Sequence, residues 1–142
     1  MLTTINGKSV IVTGGSKGIG RGIAKVFAAQ GANVTLAARG EEAAKSACDE
    51  INAEGGGATY SLCDVSDWES VKSMVDGVAA VNGGVDIMCA NAGAFPQTKI
   101  VDMDPAEWDQ VMGTNLRSAF LCVKACIPYF EKAGKGRVVL TS

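Results

Sequence analysis

The apolar run Val10-Ile11-Val12 leads straight into Thr13-Gly14-Gly15-Ser16-Lys17-Gly18-Ile19-Gly20. A strand that breaks into a glycine-rich turn and then opens a helix brings backbone N–H groups and a helix N-terminus to one point, which suits an anion such as a diphosphate. The opening of the chain therefore reads as a nucleotide phosphate site. A triphosphatase-type phosphate loop does not fit, because Gly7-Lys8-Ser9 precedes the strand and the upstream glycine of that motif is replaced by Leu2. The spacing of Gly14, Gly18 and Gly20 also departs from the Gly-x-Gly-x-x-Gly of most dinucleotide folds. The rest of the chain must say which nucleotide is meant.

Strand-like runs rich in Val, Ile and Ala recur at 9–13, 33–38, 58–63, 86–90 and 136–141, with helical segments between them. This alternation predicts an α/β fold, a Rossmann-type doubly wound parallel sheet whose ligands sit beyond the carboxyl ends of the strands. Gly31 suits a left-handed cap after the first helix. Ser66 with Glu69 forms a capping box for a helix ending near Gly83, and Asp104, Pro105 and Glu107 supply N-cap, N1 and N3 of a helix running to about Gly134. Gly55-Gly56-Gly57 reads as a tight connection, so residues 1–142 form one domain. Its fifth strand has no helix after it and no neighbour beyond it, an open edge that natural domains cover. The expectation is an incomplete domain, truncated after the fifth strand.

The chain is 47% hydrophobic with a net charge of −2 and no long basic block, which argues against nucleic acid or an anionic membrane as a partner. Its first residues lack a basic segment followed by an apolar one, and no stretch is long enough to span a bilayer, so a cytoplasmic location is expected. The five cysteines, Cys48, Cys63, Cys89, Cys122 and Cys126, are scattered and read as reduced core thiols. With no histidine anywhere, the usual mixed zinc site is unavailable and no metal is expected. The commonest general base is missing too.

Taken together, Thr13 to Gly20, Cys63-Asp64-Val65, Asn91-Ala92-Gly93 and Asn115 resemble the short-chain dehydrogenase/reductase family in order, spacing and placement, over essentially the whole chain. Within that family the nearest likeness is to 3-oxoacyl-acyl-carrier-protein reductases. The resemblance implies that Gly14, Ser16, Lys17, Gly18, Ile19 and Gly20 cradle the cofactor phosphates and ribose. It implies that Asp64 bonds the adenine amino group, that Val65 meets the adenine through its backbone, and that Asn91, Ala92 and Gly93 line the adenine-ribose side. Asn115 would belong to the catalytic tetrad, opening its helix locally to hold a water of the proton relay.

Cofactor choice follows from charge. An unphosphorylated ribose is usually met by a carboxylate about 20 residues after the glycine turn, whereas this chain has Ala38-Arg39-Gly40 there. Arg39 can fork onto a 2′-phosphate and Lys17 can add a second positive charge, which points to NADP(H).

The family's catalytic serine aligns one position past Ser142, and its Tyr-x-x-x-Lys pair is expected further on. Tyr60 lies in a strand, and Tyr129 is followed four residues later by Ala133, not Lys. For an intact parent, the resemblance implies reversible reduction of a small carbonyl substrate, with a 3-oxoacyl thioester of acyl carrier protein among the candidates. The other reading is a naturally short, non-catalytic nucleotide-binding or oligomerisation module. The long helix carrying Trp108, Val111, Met112, Leu116, Phe120, Val123 and Ile127 has more apolar face than one sheet surface needs. By resemblance, it would pair with its symmetry mate in a homodimer or homotetramer.

Overall fold

The computed structural model describes residues 4–142; residues 1–3, the start of the predicted domain, lie outside the described residues. The strands are β1 (Ser9–Thr13), β2 (Asn33–Ala38), β3 (Gly57–Leu62), β4 (Ile87–Ala90) and β5 (Arg137–Leu140). They form one all-parallel sheet in the order β3-β2-β1-β4-β5. The direction of winding reverses between β1 and β4, where doubly wound sheets leave a crevice. The expected α/β architecture is present, with strand limits within a residue or two of those read from the sequence.

Alternation along the central strands decides which helix goes to which face. Val10, Val12, Val34, Leu36, Ile87 and Cys89 meet α1 (Gly18–Ala29) and α2 (Glu41–Ala53) through Ala24, Ala28, Ala47 and Ile51. Ile11, Ala37 and Met88 point the other way, onto α3 (Trp68–Asn82) and α5 (Ser118–Ala133) through Val71, Val75, Leu121 and Cys122. All five residues of β1 are buried, as a strand covered on both faces requires. All five cysteines are free and buried, and burial pushes the Cys122 and Cys126 thiols up to about 12, so they stay neutral packing groups. The residues of β5 are exposed along its whole length, with Leu140 at 55%.

Two helix starts separate expectation from outcome. Asp104 caps α4 (Pro105–Met112) as expected, accepting from the Ala106 N–H at 2.8 Å with Pro105 in the first turn. The Ser66–Glu69 box does not form. The cap of α3 is Asp67, whose carboxylate accepts from the Ser70 N–H at 2.7 Å, because the Ser66 hydroxyl is already donated to Asp64.

The long helix read from Pro105 onward is also interrupted. A single π-helical turn (Gly113–Arg117) joins α4 to α5, and the Ser118 N–H reaches back five residues to the Gly113 carbonyl. The Ser118 hydroxyl donates to the Thr114 carbonyl, a back-bond that competes with the regular ladder and bends helices. The opening around Asn115 is the one implied by the family resemblance. The buried side of α5 is Leu121, Cys122, Ala125 and Cys126, which leaves Trp108, Leu116, Phe120 and Ile127 exposed on the outside.

If this layering holds, Ile11→Ala lowers unfolding free energy by about 2 to 5 kcal/mol in a urea titration. Val81→Ala on the exposed side of α3 lowers it by less than about 1 kcal/mol. Equal losses would contradict the assignment of the core.

Candidate functional site

The glycine turn is shaped by contacts that exclude side chains. Gly14 takes φ 65°, and a Cβ there would stand 2.9 Å from the Ala92 Cα; at Gly20 a Cβ would stand 2.2 Å from the Gly14 carbonyl oxygen. The start of α1 is thereby pressed onto the end of β1. Lys17 at the N-cap makes no side-chain bond to the first N–H groups of the helix. Around Gly18 a Cβ would meet nothing within 4 Å. Uncapped N–H groups beside open space fit an anion such as a diphosphate.

That turn forms one wall of a cleft of about 490 Å³ at the carboxyl ends of the strands, within the usual range for small-molecule sites. Of the predicted residues, Gly14, Ser16, Lys17, Gly18, Arg39, Asp64, Val65, Asn91, Ala92 and Gly93 line it. Ile19 and Gly20 are not in the lining: the Ile19 side chain is 67% exposed, and Gly20 is buried beneath the turn. Asn115 also stands outside the lining, one residue from Thr114, which is part of it.

The walls are tied together at the winding reversal. The buried Thr13 hydroxyl accepts from the N–H groups of Asn91 and Ala92, both at 3.0 Å, and the Asn91 side-chain amide donates to the Thr13 carbonyl at 3.2 Å. Asn115 pairs with the backbone of Ala94 in both directions, accepting from its N–H at 2.6 Å and donating to its carbonyl at 2.8 Å. The π turn is thus anchored to the loop that follows β4.

At the β3 end, Ser66 donates to Asp64 Oδ1 from its N–H at 2.9 Å and its hydroxyl at 2.7 Å. These bonds, with the positive charge of Arg39 nearby, hold the Asp64 carboxyl below the usual carboxylate range. The cleft therefore presents a carboxylate at one point and the cations Arg39 and Lys17 at others. Among the described residues, neither cation forms an ion pair and no group of three His, Cys, Asp or Glu could hold a metal.

Sequence reasoning missed Thr13 as a tie and Ser66, Gln110 and Thr114 as lining. For Thr13 a signal existed: a hydroxyl at the last position of a buried strand needs a hydrogen-bond partner. Gln110 and Thr114 reach the cleft only because α4 and the π turn fold back over the strand ends, which no local pattern reveals.

Comparison with known proteins places the chain. The family described as short chain dehydrogenase matches residues 8–142, and the chain belongs to it. The chain is 40% identical over 133 residues to the 3-oxoacyl-acyl-carrier-protein reductase FabG of Chlamydia muridarum, covering 93% of this chain and 54% of that protein. It is 39% identical over 146 residues to the (+)-cis,trans-nepetalactol synthase NEPS1 of Nepeta racemosa, covering 100% of this chain and 53% of that protein. A metagenomic short-chain oxidoreductase solved in complex with NADP superposes with a TM-score of 0.89 at 34% identity, over 96% of this chain and 62% of that one. The chain thus spans about half the length of the curated relatives it matches.

The Asp64 turn gives a pH prediction with a definite sign. A carboxyl held below its unfolded value contributes stability above that value, near 3.9, and loses it as pH falls through the lower folded value. Carbon NMR titration of the Asp64 carboxyl is expected to show a midpoint below the usual carboxylate value, moving up in Ser66→Ala. An unmoved midpoint would mean that Ser66 does not set this charge.

Proposed function

We propose that this chain is the cofactor-binding part of an NADP(H)-dependent oxidoreductase that interconverts a carbonyl and an alcohol by hydride transfer. The reading rests on one observation above others. Arg39 and Lys17 stand together at the cleft, and neither forms an ion pair among the described residues. Two cations at one cleft, Arg39 just past β2 and Lys17 in the glycine turn, suit a ribose 2′-phosphate.

Under this reading, the N–H groups of the glycine turn from Gly14 to Gly20 hold the diphosphate, Ser16 included. Asp64 accepts from the adenine amino group, Val65 meets the adenine through its backbone, and Asn91, Ala92 and Gly93 line the adenine-ribose side. When bound, the reduced nicotinamide supplies the hydride for the carbonyl carbon. Asn115, with its side chain held by Ala94, sits in an opened turn that suits a water of a proton relay.

Neither tyrosine lines the cleft. Tyr60 donates to Glu41 at 3.0 Å and Tyr129 to Asp76 at 2.7 Å, and these bonds push both phenols up. We therefore assign the proton donor to sequence beyond these 142 residues. Likeness to FabG makes a 3-oxoacyl thioester of acyl carrier protein the first substrate class to test, with other small carbonyl compounds beside it.

Among the described residues, no helix is long and apolar enough to cross a membrane. The exposed face of Trp108, Leu116, Phe120 and Ile127 supports a homodimer or homotetramer.

Arg39→Asp in the intact protein tests the cofactor reading by titration with NADPH and NADH. One charge-assisted contact contributes about 1.5 to 3 kcal/mol, so the NADPH-to-NADH affinity ratio is expected to fall by about tenfold or more. An unchanged ratio overturns the NADP preference. Absence of binding by either dinucleotide overturns the oxidoreductase reading itself.

A further inference from the structure

The turn between β3 and α3 is held largely by its own residues, with one tie from elsewhere. The Asp67 N–H reaches the Asp64 carbonyl at 3.2 Å, and the Asp64 N–H is accepted by the Ser70 hydroxyl at 2.9 Å. Ser66 occupies Asp64 Oδ1 with both of its donors, so Oδ2 has no protein partner among the described residues. The tie from outside is Arg117, the last residue of the π turn, whose Nη1 donates to the Ser66 carbonyl at 2.9 Å.

This tie falls on the peptide group that closes the turn. The group joining Ser66 and Asp67 has its N–H on Asp64 and its carbonyl on Arg117, so both ends are fixed. The π turn also lies against the same residue: a Cβ on Gly113 would stand 3.8 Å from the Ser66 Cβ. Thr114 and Gln110, from the same stretch, face the cleft with Asp64 and Ser66. Arg117 thus ties the turn that carries the carboxylate to the stretch that forms the opposite wall.

We propose that Arg117 is a positioning residue for base recognition: by holding the Ser66 carbonyl it fixes the turn that presents Asp64 Oδ2 to the exocyclic amino group of an adenine. This rests on reading the cleft as a nicotinamide adenine dinucleotide site. A general structural tie would weaken every ligand of the cleft alike. A tie that acts through Asp64 affects only ligands that bring an amino group to Oδ2.

The test compares binding of NADPH with that of the reduced hypoxanthine analogue, which carries a carbonyl oxygen in place of the amino group. Nicotinamide fluorescence reads both. The unaltered protein is expected to prefer NADPH by about tenfold or more, as for a hydrogen bond to a charged group. In Arg117→Met that preference collapses toward unity, chiefly through loss of NADPH affinity, and Asp64→Ala also abolishes the preference. The double variant is no worse than Asp64→Ala alone, and Arg117→Lys, which keeps a donor, retains most of the preference.

Equal weakening of both dinucleotides by Arg117→Met, or an unchanged preference, overturns the proposal. Equal binding of the two by the unaltered protein overturns it while leaving the cofactor reading intact; binding of neither removes both. Should Arg117→Met fail to fold, Arg117→Gln, too short to span the gap, gives the same comparison.

Discussion

The approach of Gly20 to the Gly14 carbonyl is the contact from which the rest of this molecule is laid out. A side chain at position 20 would also collide with the Asn91 amide, 2.6 Å from where its Cβ would stand. Because that space stays empty, α1 starts directly over the end of β1, and its first N–H groups emerge at the sheet edge where the winding reverses. Thr13 then gathers the end of β4 against β1 through two N–H groups. One close approach thus fixes a helix, two strands and the mouth of the cleft.

The cleft has its charges parted along its length. Asp64 remains ionised because Ser66 and, less strongly, Arg39 favour its charged form, while neither Arg39 nor Lys17 closes into an ion pair among the described residues. Some cations elsewhere on the surface are paired: Arg21 and Lys25 share Glu50, and Lys45 and Lys72 each take an aspartate four residues on. Surface pairs of this kind contribute little stability. Leaving two cations out of such pairing has little cost for the fold and matters mainly to a ligand.

What was legible in the sequence follows the range of the forces involved. The strands were readable because β1, β2 and β4 are almost wholly buried and appear as short, mostly apolar runs. Asp104 was readable as a cap because its partner lies two residues away. At the start of α3 two local options competed, Ser66 with Glu69 and Asp67 with Ser70. The Asp64 carboxylate decided between them by taking the Ser66 hydroxyl. In the site, the glycine turn, Asp64 and the Asn91 segment were legible as motifs. Gln110, Thr114 and the role of Thr13 were not, since each depends on chain far away in sequence; Ser66 was read as a helix cap, although its partner Asp64 lies only two residues off. The π turn stands between: resemblance implied an opening at Asn115, but its cause lies in the Ser118 back-bond and in the pairing with Ala94, 21 residues away.

The Thr13 hydroxyl joins residues 78 and 79 positions apart, and closing so long a stretch carries an entropic cost that only the completed sheet offsets. Parallel pairings of this separation are slow to form. Both walls of the cleft meet at that joint, so no early, locally structured intermediate possesses the cleft. Any ligand of the cleft then binds the folded ensemble alone, and its concentration shifts the folding equilibrium of the whole domain rather than of one loop. In a cell, supply of that ligand and survival of the protein would rise and fall together.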